Sequence, residues 1–289
     1  MTLYTYSIII PHKNSSDLLQ RCIASIPQRD DVQIIVVDDN SDEDKKPVIE
    51  RQNVAIVYLD ALNSKGAGHA RNVGLSYATG KWVLFIDADD TYSEHFSHFL
   101  DVHQDVNVDV VYFGKNHVID GKVNPRGQQK LSSNTHDEVF RLKFGQTVPW
   151  NKMVRHSLID KNHIAFEECP VGNDIFYSYQ VGFFCKENFT VYSKPVYNYF
   201  INNNSITHKR KNTEDYYLTI WKHIYQCNEF YRFMGRKEKS KTILAKLAAI
   251  WKKKGLGQCY FAFTVFVKHF DEIRRDSMMY VNRFVSPIQ

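Results

Sequence analysis

Apolar residues in the first hundred positions fall into two alternating patterns. Tyr6 to Pro11 (YSIIIP) and Gln33 to Asp38 (QIIVVD) are short β-branched runs that end at a breaker or a carboxylate, as strands buried in a parallel sheet do. Ala55 to Leu59 and Trp82 to Asp87 (WVLFID) repeat the pattern. Between the first two runs, Leu18, Leu19, Cys22, Ile23 and Ile26 recur at helical spacing behind the cap-forming Asn14, Ser15 and Ser16. Between the third and fourth, Ala70, Val73, Gly74, Tyr77 and Ala78 do the same, and Gly80 is the stop. This β-α-β-α series predicts an α/β fold with a mostly parallel central sheet flanked by helices.

Beyond Asp90 the regularity loosens. Ser93 reads as the cap of a helix carrying Phe96, Phe99 and Leu100, Val108 to Phe113 as a strand, and Gly121 to Asn134 as a polar loop. Short helices and aromatic-rich strands such as Thr190 to Phe200 follow, and after Thr213 the pattern turns helical and basic, with Lys252 to Lys254 ahead of Gly255, Leu256 and Gly257. The expected organisation is an α/β domain over residues 1–213, in halves 1–113 and 114–213, and a helical appendage over 214–289. No internal repeat or low-complexity tract interrupts it.

The chain has 289 residues and a formal net charge of +5, enough length for one large core and a smaller unit. That charge would suit nucleic acid, an anionic membrane or a phosphorylated substrate, and does not choose among them. The five cysteines (Cys22, Cys169, Cys185, Cys227, Cys259) include no C-x-x-C pair, which argues against a zinc site or a disulfide framework and for a reducing, cytoplasmic setting. The start MTLYTYSIII lacks the features of a signal peptide, and the greasiest stretch, Cys259 to Val267, stops at Lys268, too short to span a bilayer.

In an open parallel sheet, ligands sit at the carboxyl ends of the strands. The chain puts Pro11, His12 and Asn14 after the first strand, Asp38, Asp39, Asn40 and Ser41 after the second, and Asp87, Asp89 and Asp90 after the fourth. Neither a G-x-G-x-x-G turn nor a P-loop is present, and Gly66 and Gly68 give only G-x-G. Without a glycine cradle, acids bind a diphosphate through a hard cation such as Mg²⁺ or Mn²⁺, and Asp87-Ala88-Asp89 offers a ligand pair. A lone D-x-D is more often a cap for the next helix. Two acid clusters at two strand ends are harder to explain that way.

Taken together and in order, YSIIIPHKN, QIIVVDDNSDE and GAGHARNVGLSYATGKWVLFIDADD resemble the nucleotide-binding half of family 2 glycosyltransferases, which have the GT-A fold. The likeness continues more weakly through VPWNKMVRHSLI, GNDIFYS and YNYFINNNSIT, similar to the acceptor-side half of bacterial members, and stops at Thr213. It implies an inverting, metal-dependent hexosyltransferase of surface-polysaccharide synthesis, with a nucleotide-sugar donor and a glycan or lipid-linked glycan acceptor. By the same resemblance Pro11 and Asn14 border the base and ribose, and Asp39 accepts from the uracil N–H, favouring UDP. Asp87 lies near the ribose and sugar, Asp89 holds the metal with Asp87 beside it, and Lys65 and Arg71 are phosphate or sugar contacts. Arg71 has an equal alternative, pairing with a carboxylate to lock its helix.

Asp174 is the expected base. The family's acidic pair is replaced here by Asn173-Asp174 after Gly172, leaving one matching carboxylate, with Glu167 and Glu168 as substitutes. An N-terminal helix carboxylate before Ile175 to Phe184 is the alternative, and both roles are compatible. Trp150, Asn151 and Lys152 fall where the family lines its acceptor cleft, although a tryptophan in mixed sequence is more often core. His208, after Ser205-Ile206-Thr207, is a weaker candidate for reaching the diphosphate.

In the basic tail, Arg236, Lys237, Lys239, Lys241 and Lys252 to Lys254 flank aromatic segments, which would suit peripheral docking on an anionic leaflet. Packed helices with solvated lysines, or an oligomer contact, are favoured, because Tyr260, Phe261, Phe263 and Phe266 are more aromatic than docking needs. Two rival functions remain. A nucleotidyltransferase would carry a Gly- and Arg-rich loop where PHKNSSD stands, and a non-catalytic carbohydrate- or nucleic-acid-binding protein leaves the acid clusters unexplained, since acids repel phosphate unless a metal intervenes.

Overall fold

The four apolar runs become adjacent parallel strands: β1 (Tyr6–His12), β2 (Val32–Asp38), β3 (Val54–Tyr58) and β4 (Trp82–Phe85). The computed structural model describes residues 4–129, 131–169, 171–201 and 213–285. His208 and the Ser205-Ile206-Thr207 segment lie outside the described residues. The remaining strands are β5 (Thr91–Tyr92), β6 (Val110–Ile119), β7 (Lys122–Asn124), β8 (Lys152–Arg155) and β9 (Phe189–Phe200). Together they build a nine-stranded sheet in the order β3-β2-β1-β4-β8-β6-β9-β5, with β7 on β6. β8 runs antiparallel to both β4 and β6, so the sheet is mixed on that side.

Strand residues alternate between two cores. Ile8, Ile10, Ile34, Val36 and Leu84 pack with Leu19 and Cys22 of α1 (Ser16–Ala24) and with Phe96 and Phe99 of α3 (Phe96–His103). Ile9, Ile35, Val37, Val83 and Phe85 face the other way, onto Ala70 of α2 (Ala67–Tyr77) and Tyr177 and Val181 of α6 (Asn173–Phe184). Two further helices, α4 (His136–Phe140) and α5 (His156–Lys161), lie between β7 and α6 in the chain. Burial on both faces is why these strands read as unbroken apolar runs. Gly74 lets α2 sit close on β1, because a Cβ there would lie 2.4 Å from Ile9 Cγ2.

Local details depart from expectation in three places. Ser15 is the N-cap of α1, but its hydroxyl donates to Lys13 O (2.9 Å) instead of capping the helix. α3 begins at Phe96, behind His95, with no acid in its first turn; Asp87 to Asp90 therefore do not cap it. The expected polar loop after Gly121 instead opens with β7, turned back on β6 through Asp120 (φ 49°) and Gly121 (φ 74°). Asp-Gly at left-handed φ is the sequence signal of a tight hairpin.

By compactness the chain forms two units: Met1–Glu168 with Asn173–Asn203, and Cys169–Gly172 with Asn204–Gln289. The second contains α7 (Glu214–Phe233), α8 (Ile243–Lys254), α9 (Leu256–Lys268) and α10 (Phe270–Val285). Its core joins Tyr217, Trp221 and Ile224 of α7 to Ile250, Ala262, Val265, Phe266 and Ile273, and Trp221 Nε1 donates to Ala262 O at 2.8 Å. Among the described residues no helix is long and apolar enough to cross a membrane.

Candidate active site

The ends of β1 and β2 are laced together. His12 Nδ1 lies 2.7 Å from Asp38 Oδ1, and His12 Nε2 accepts from Ser15 N (3.2 Å), which makes Nδ1 the protonated nitrogen and Asp38 its acceptor. Asp38 is 1 % exposed and also accepts from Ser41 Oγ and Ser41 N. Asn14 has φ 54°, a left-handed geometry that Asn tolerates. Its backbone N–H donates to Ser41 Oγ (2.8 Å), and its side-chain oxygen accepts from Asp42 N (2.8 Å). Asp38 therefore supports the loop, and its neighbour Asp39, 5% exposed, is turned toward the start of α2: Asp39 Oδ1 accepts from Gly66 N (3.3 Å), with Lys13 Nζ 3.4 Å from Oδ2. Pro11 is half-buried beside them and Asn14 is exposed.

Helix α2 ties this group to the acids after β4. Its N-cap Gly66 meets Asp39, and five residues on, about 7–8 Å along the axis, the buried Arg71 reaches Asp87. Arg71 Nη2 donates to Asp87 Oδ1 at 2.6 Å and Nη1 to Asn173 Oδ1 at 3.0 Å. Of the two readings of Arg71, the structure shows the carboxylate pairing. Gly68 makes the approach possible, since a Cβ there would lie 2.2 Å from Glu167 O and 2.9 Å from Asn173 Cβ. Lys65 stays at the rim, half-exposed and 3.5 Å from Glu168, which also pairs with His69 Nδ1 (2.7 Å). These ion pairs hold the Glu168 carboxyl below its ordinary range, His69 chiefly.

Burial raises the Asp89 carboxyl, and the nearby Asp87 raises it further. Asp90 is 1 % exposed and is pushed up to about 8, first by burial and then by Asp87 and Asp89. It accepts from Tyr197 OH (2.6 Å) and Phe200 N (2.8 Å), and Tyr197 OH accepts from Asp87 N (3.2 Å). Three crowded carboxyls favour a counter-charge, and the half-buried Asp87 and Asp89 offer the hard oxygen donors that Mg²⁺ and Mn²⁺ prefer. The donor set fits such an ion.

Asp174 lies in the first turn of α6, next to the Asn173 that Arg71 holds. Burial raises its carboxyl, Asp87 adds to the rise, and Arg71 and Lys152 oppose it. Asp87, Asp89, Arg71 and Asp174 are thus brought together. The expected acceptor residues are not presented to solvent. Trp150 is 4 % exposed and stacks on Tyr197 at 4.3 Å, with Lys115 Nζ 4.8 Å from its ring centroid. Asn151 and Lys152 are fully buried. Lys152 Nζ donates to Val148 O (2.5 Å) and Ser178 Oγ (3.2 Å), and burial pulls its ammonium down to about 7. Their burial follows from topology: Lys152 opens β8, which lies inside the sheet between β4 and β6.

Four residues at the site escaped the sequence reading. Arg21 donates to Asp89 O (2.5 Å) and lies over the Phe200 ring, Tyr197 donates to Asp90, Tyr199 is close enough to feel the charges of Asp87, Asp89 and Asp90, and Lys115 Nζ lies 5.0 Å from the Tyr199 ring centroid. The period-2 spacing of Tyr197 and Tyr199 in YNYF was the available signal that both share one face.

The sequence profile described as "Glycosyl transferase family 2" matches residues 7–164, more than half of the chain. A poly(ribitol-phosphate) beta-glucosyltransferase of Bacillus spizizenii is 29% identical over 170 residues, covering 55% of this chain and 26% of that protein. The chain therefore spans only about a quarter of this relative. A crystal structure of Staphylococcus aureus TarS residues 1–349 in complex with UDP-GlcNAc superposes over 97% of this chain and 89% of its own, with TM-score 0.58 and 19% identity. The mannosyltransferase PcManGT of Pyrobaculum calidifontis, in complex with GDP-Man and Mn²⁺, superposes over 97% and 85%, with TM-score 0.51 and 16% identity. These likenesses agree with the GT-A fold that the sequence resemblance implied. On the profile match, which covers the four parallel strands and the acids at their ends, the chain belongs to glycosyl transferase family 2.

Proposed function

We propose that this chain transfers a sugar from a nucleotide-sugar donor, UDP-linked by preference, to a glycan or lipid-linked glycan acceptor with inversion at the anomeric carbon. The observation that carries this reading is the Arg71 bridge, which sets Asp87 of the metal pair beside Asn173 and the candidate base Asp174. Pro11, Asn14 and Asp39 would receive the nucleotide base and ribose, and Lys65 the phosphates or sugar. A divalent cation held by Asp87 and Asp89 would supply positive charge against the departing diphosphate. Asp174 takes the proton of the acceptor hydroxyl as its oxygen attacks the anomeric carbon and the bond to the diphosphate breaks. Its raised affinity for protons suits a base.

The TarS and PcManGT complexes, with UDP-GlcNAc and with GDP-Man and Mn²⁺, support a nucleotide-sugar donor and a metal. The poly(ribitol-phosphate) relative supports a surface-polymer acceptor. Five cysteines dispersed along the chain with no C-x-x-C pair support a reducing, cytoplasmic setting. Calorimetric titration of UDP, GDP and CDP, with Mn²⁺ and then with EDTA, tests the donor site. Selective, metal-dependent UDP binding that is lost in Asp89→Ala is expected. Equal binding of all three, or binding indifferent to EDTA, would refute the assignment.

A further inference from the structure

We propose that the outer face of α8 and α9 docks on an anionic lipid bilayer. This goes beyond the transferase reading and does not depend on it. α9 is apolar on two opposite sides. Ala262, Val265 and Phe266 point into the core of the second unit, whereas Leu256, Tyr260, Phe263 and Val267, spaced i, i+4, i+7 and i+11, form an exposed stripe. On α8, Leu244 and Trp251, spaced i and i+7, are apolar residues left outside in the same way, and all six residues are between 44% and 78% exposed. The packed-helix expectation is therefore half met: Phe266 is core, and Tyr260 and Phe263 remain outside.

Charge identifies the occupant. From Lys239 to Phe270 the chain carries seven lysines and no Asp or Glu. Lys268 is paired with Glu214 (2.8 Å), but Lys252 and Lys253 are exposed at the end of α8 beside Trp251. Lys241, Lys253 and Lys254 are close enough to Lys246 to hold its ammonium below the ordinary range, after the larger effect of burial. Exposed apolar residues that include tryptophan and tyrosine, in a lysine-rich segment with no Asp or Glu of its own, match the boundary between acyl chains and anionic headgroups. A second copy fits less well, because a two-fold contact sets a face against itself and would bring lysines against lysines.

The protein carries its own probe. Trp82, Trp150 and Trp221 are buried, whereas Trp251 is 58% exposed. The full chain, without nucleotide, is mixed with vesicles of phosphatidylcholine alone or of an equimolar mixture with phosphatidylglycerol, reading tryptophan emission and co-sedimentation. A blue shift and sedimentation with the anionic vesicles only, weakened by salt, is expected. Lys252→Gln/Lys253→Gln should weaken partition about 25-fold, at about fivefold per lysine, and Tyr260→Ser/Phe263→Ser at least tenfold, with unchanged thermal melting. No partition, or equal partition into neutral vesicles, overturns the proposal. So does a dimer in light scattering that Tyr260→Ser/Phe263→Ser dissolves without changing vesicle binding. Nucleotide titration is a separate readout, so either proposal can fail alone.

Discussion

Arg71 Nη2 lies 2.6 Å from Asp87 Oδ1, and the two side chains are 8% and 30% exposed. A guanidinium from a helix on one face of the sheet thereby fixes a carboxylate at the end of its central strand, while its second nitrogen holds the first residue of α6. Arg71→Met should leave Asp87 without its counter-charge and weaken metal-dependent nucleotide binding about tenfold. Stability should fall by about 2–3 kcal/mol, below the range for a fully buried pair because Asp87 keeps partial access to water. Calorimetry and urea denaturation check the two effects, and a variant with native nucleotide affinity would reduce Arg71 to a structural part.

Asp174→Asn should leave nucleotide affinity nearly unchanged and lower kcat by about 10²–10⁴, the usual contribution of a general base. Single-turnover rates beside nucleotide titration separate the two. Retained turnover would transfer the role to Glu167 or Glu168.

Lys152 acts on the Asp174 carboxyl from within the sheet. Its positive charge lowers the Asp174 carboxyl against the rise caused by burial. Lys152→Met keeps the chain length and removes the charge, so Asp174 should gain its proton at higher pH, and the acidic limb of the kcat profile should move upward. An unmoved limb would mean that Asp174 is not the group titrating there.

Asp90 gives a stability test with a defined sign. Its carboxyl is raised to about 8 in the fold from about 3.9 in an unfolded chain. The folded state then binds more protons than the unfolded one between these values. The contribution is complete below about 3.9 and is lost as pH rises toward about 8. In EDTA, Asp90→Asn, which resembles the protonated acid, should melt with a flatter pH dependence between about pH 5 and pH 8. Parallel curves for variant and native protein would show that Asp90 is ionised throughout.

Some of this site was legible one residue at a time and some was not. Asp38 and Asp39 are neighbours of identical chemistry, yet Asp38 is taken up by His12 and Ser41, and only Asp39 is left toward Gly66. Trp150-Asn151-Lys152 looks like a polar, aromatic cleft lining, and it is interior because β8 enters the sheet between β4 and β6. No local pattern announces such an insertion, since the strands it separates are drawn from positions 82–85 and 110–119.

The sequence by itself determined the parallel strands β1 to β4, the helices between them and the acids at their ends, because apolar strand runs and helical spacing are written in consecutive residues. It also determined the family, through motifs in fixed order. Only the tertiary structure decided that Arg71 belongs to Asp87, that Tyr197 holds Asp90, that Lys152 is buried, and that α9 sends Phe266 inward and leaves Tyr260 out. Each of these depends on partners distant along the chain, and their contacts exist only once the sheet and the helical core have closed.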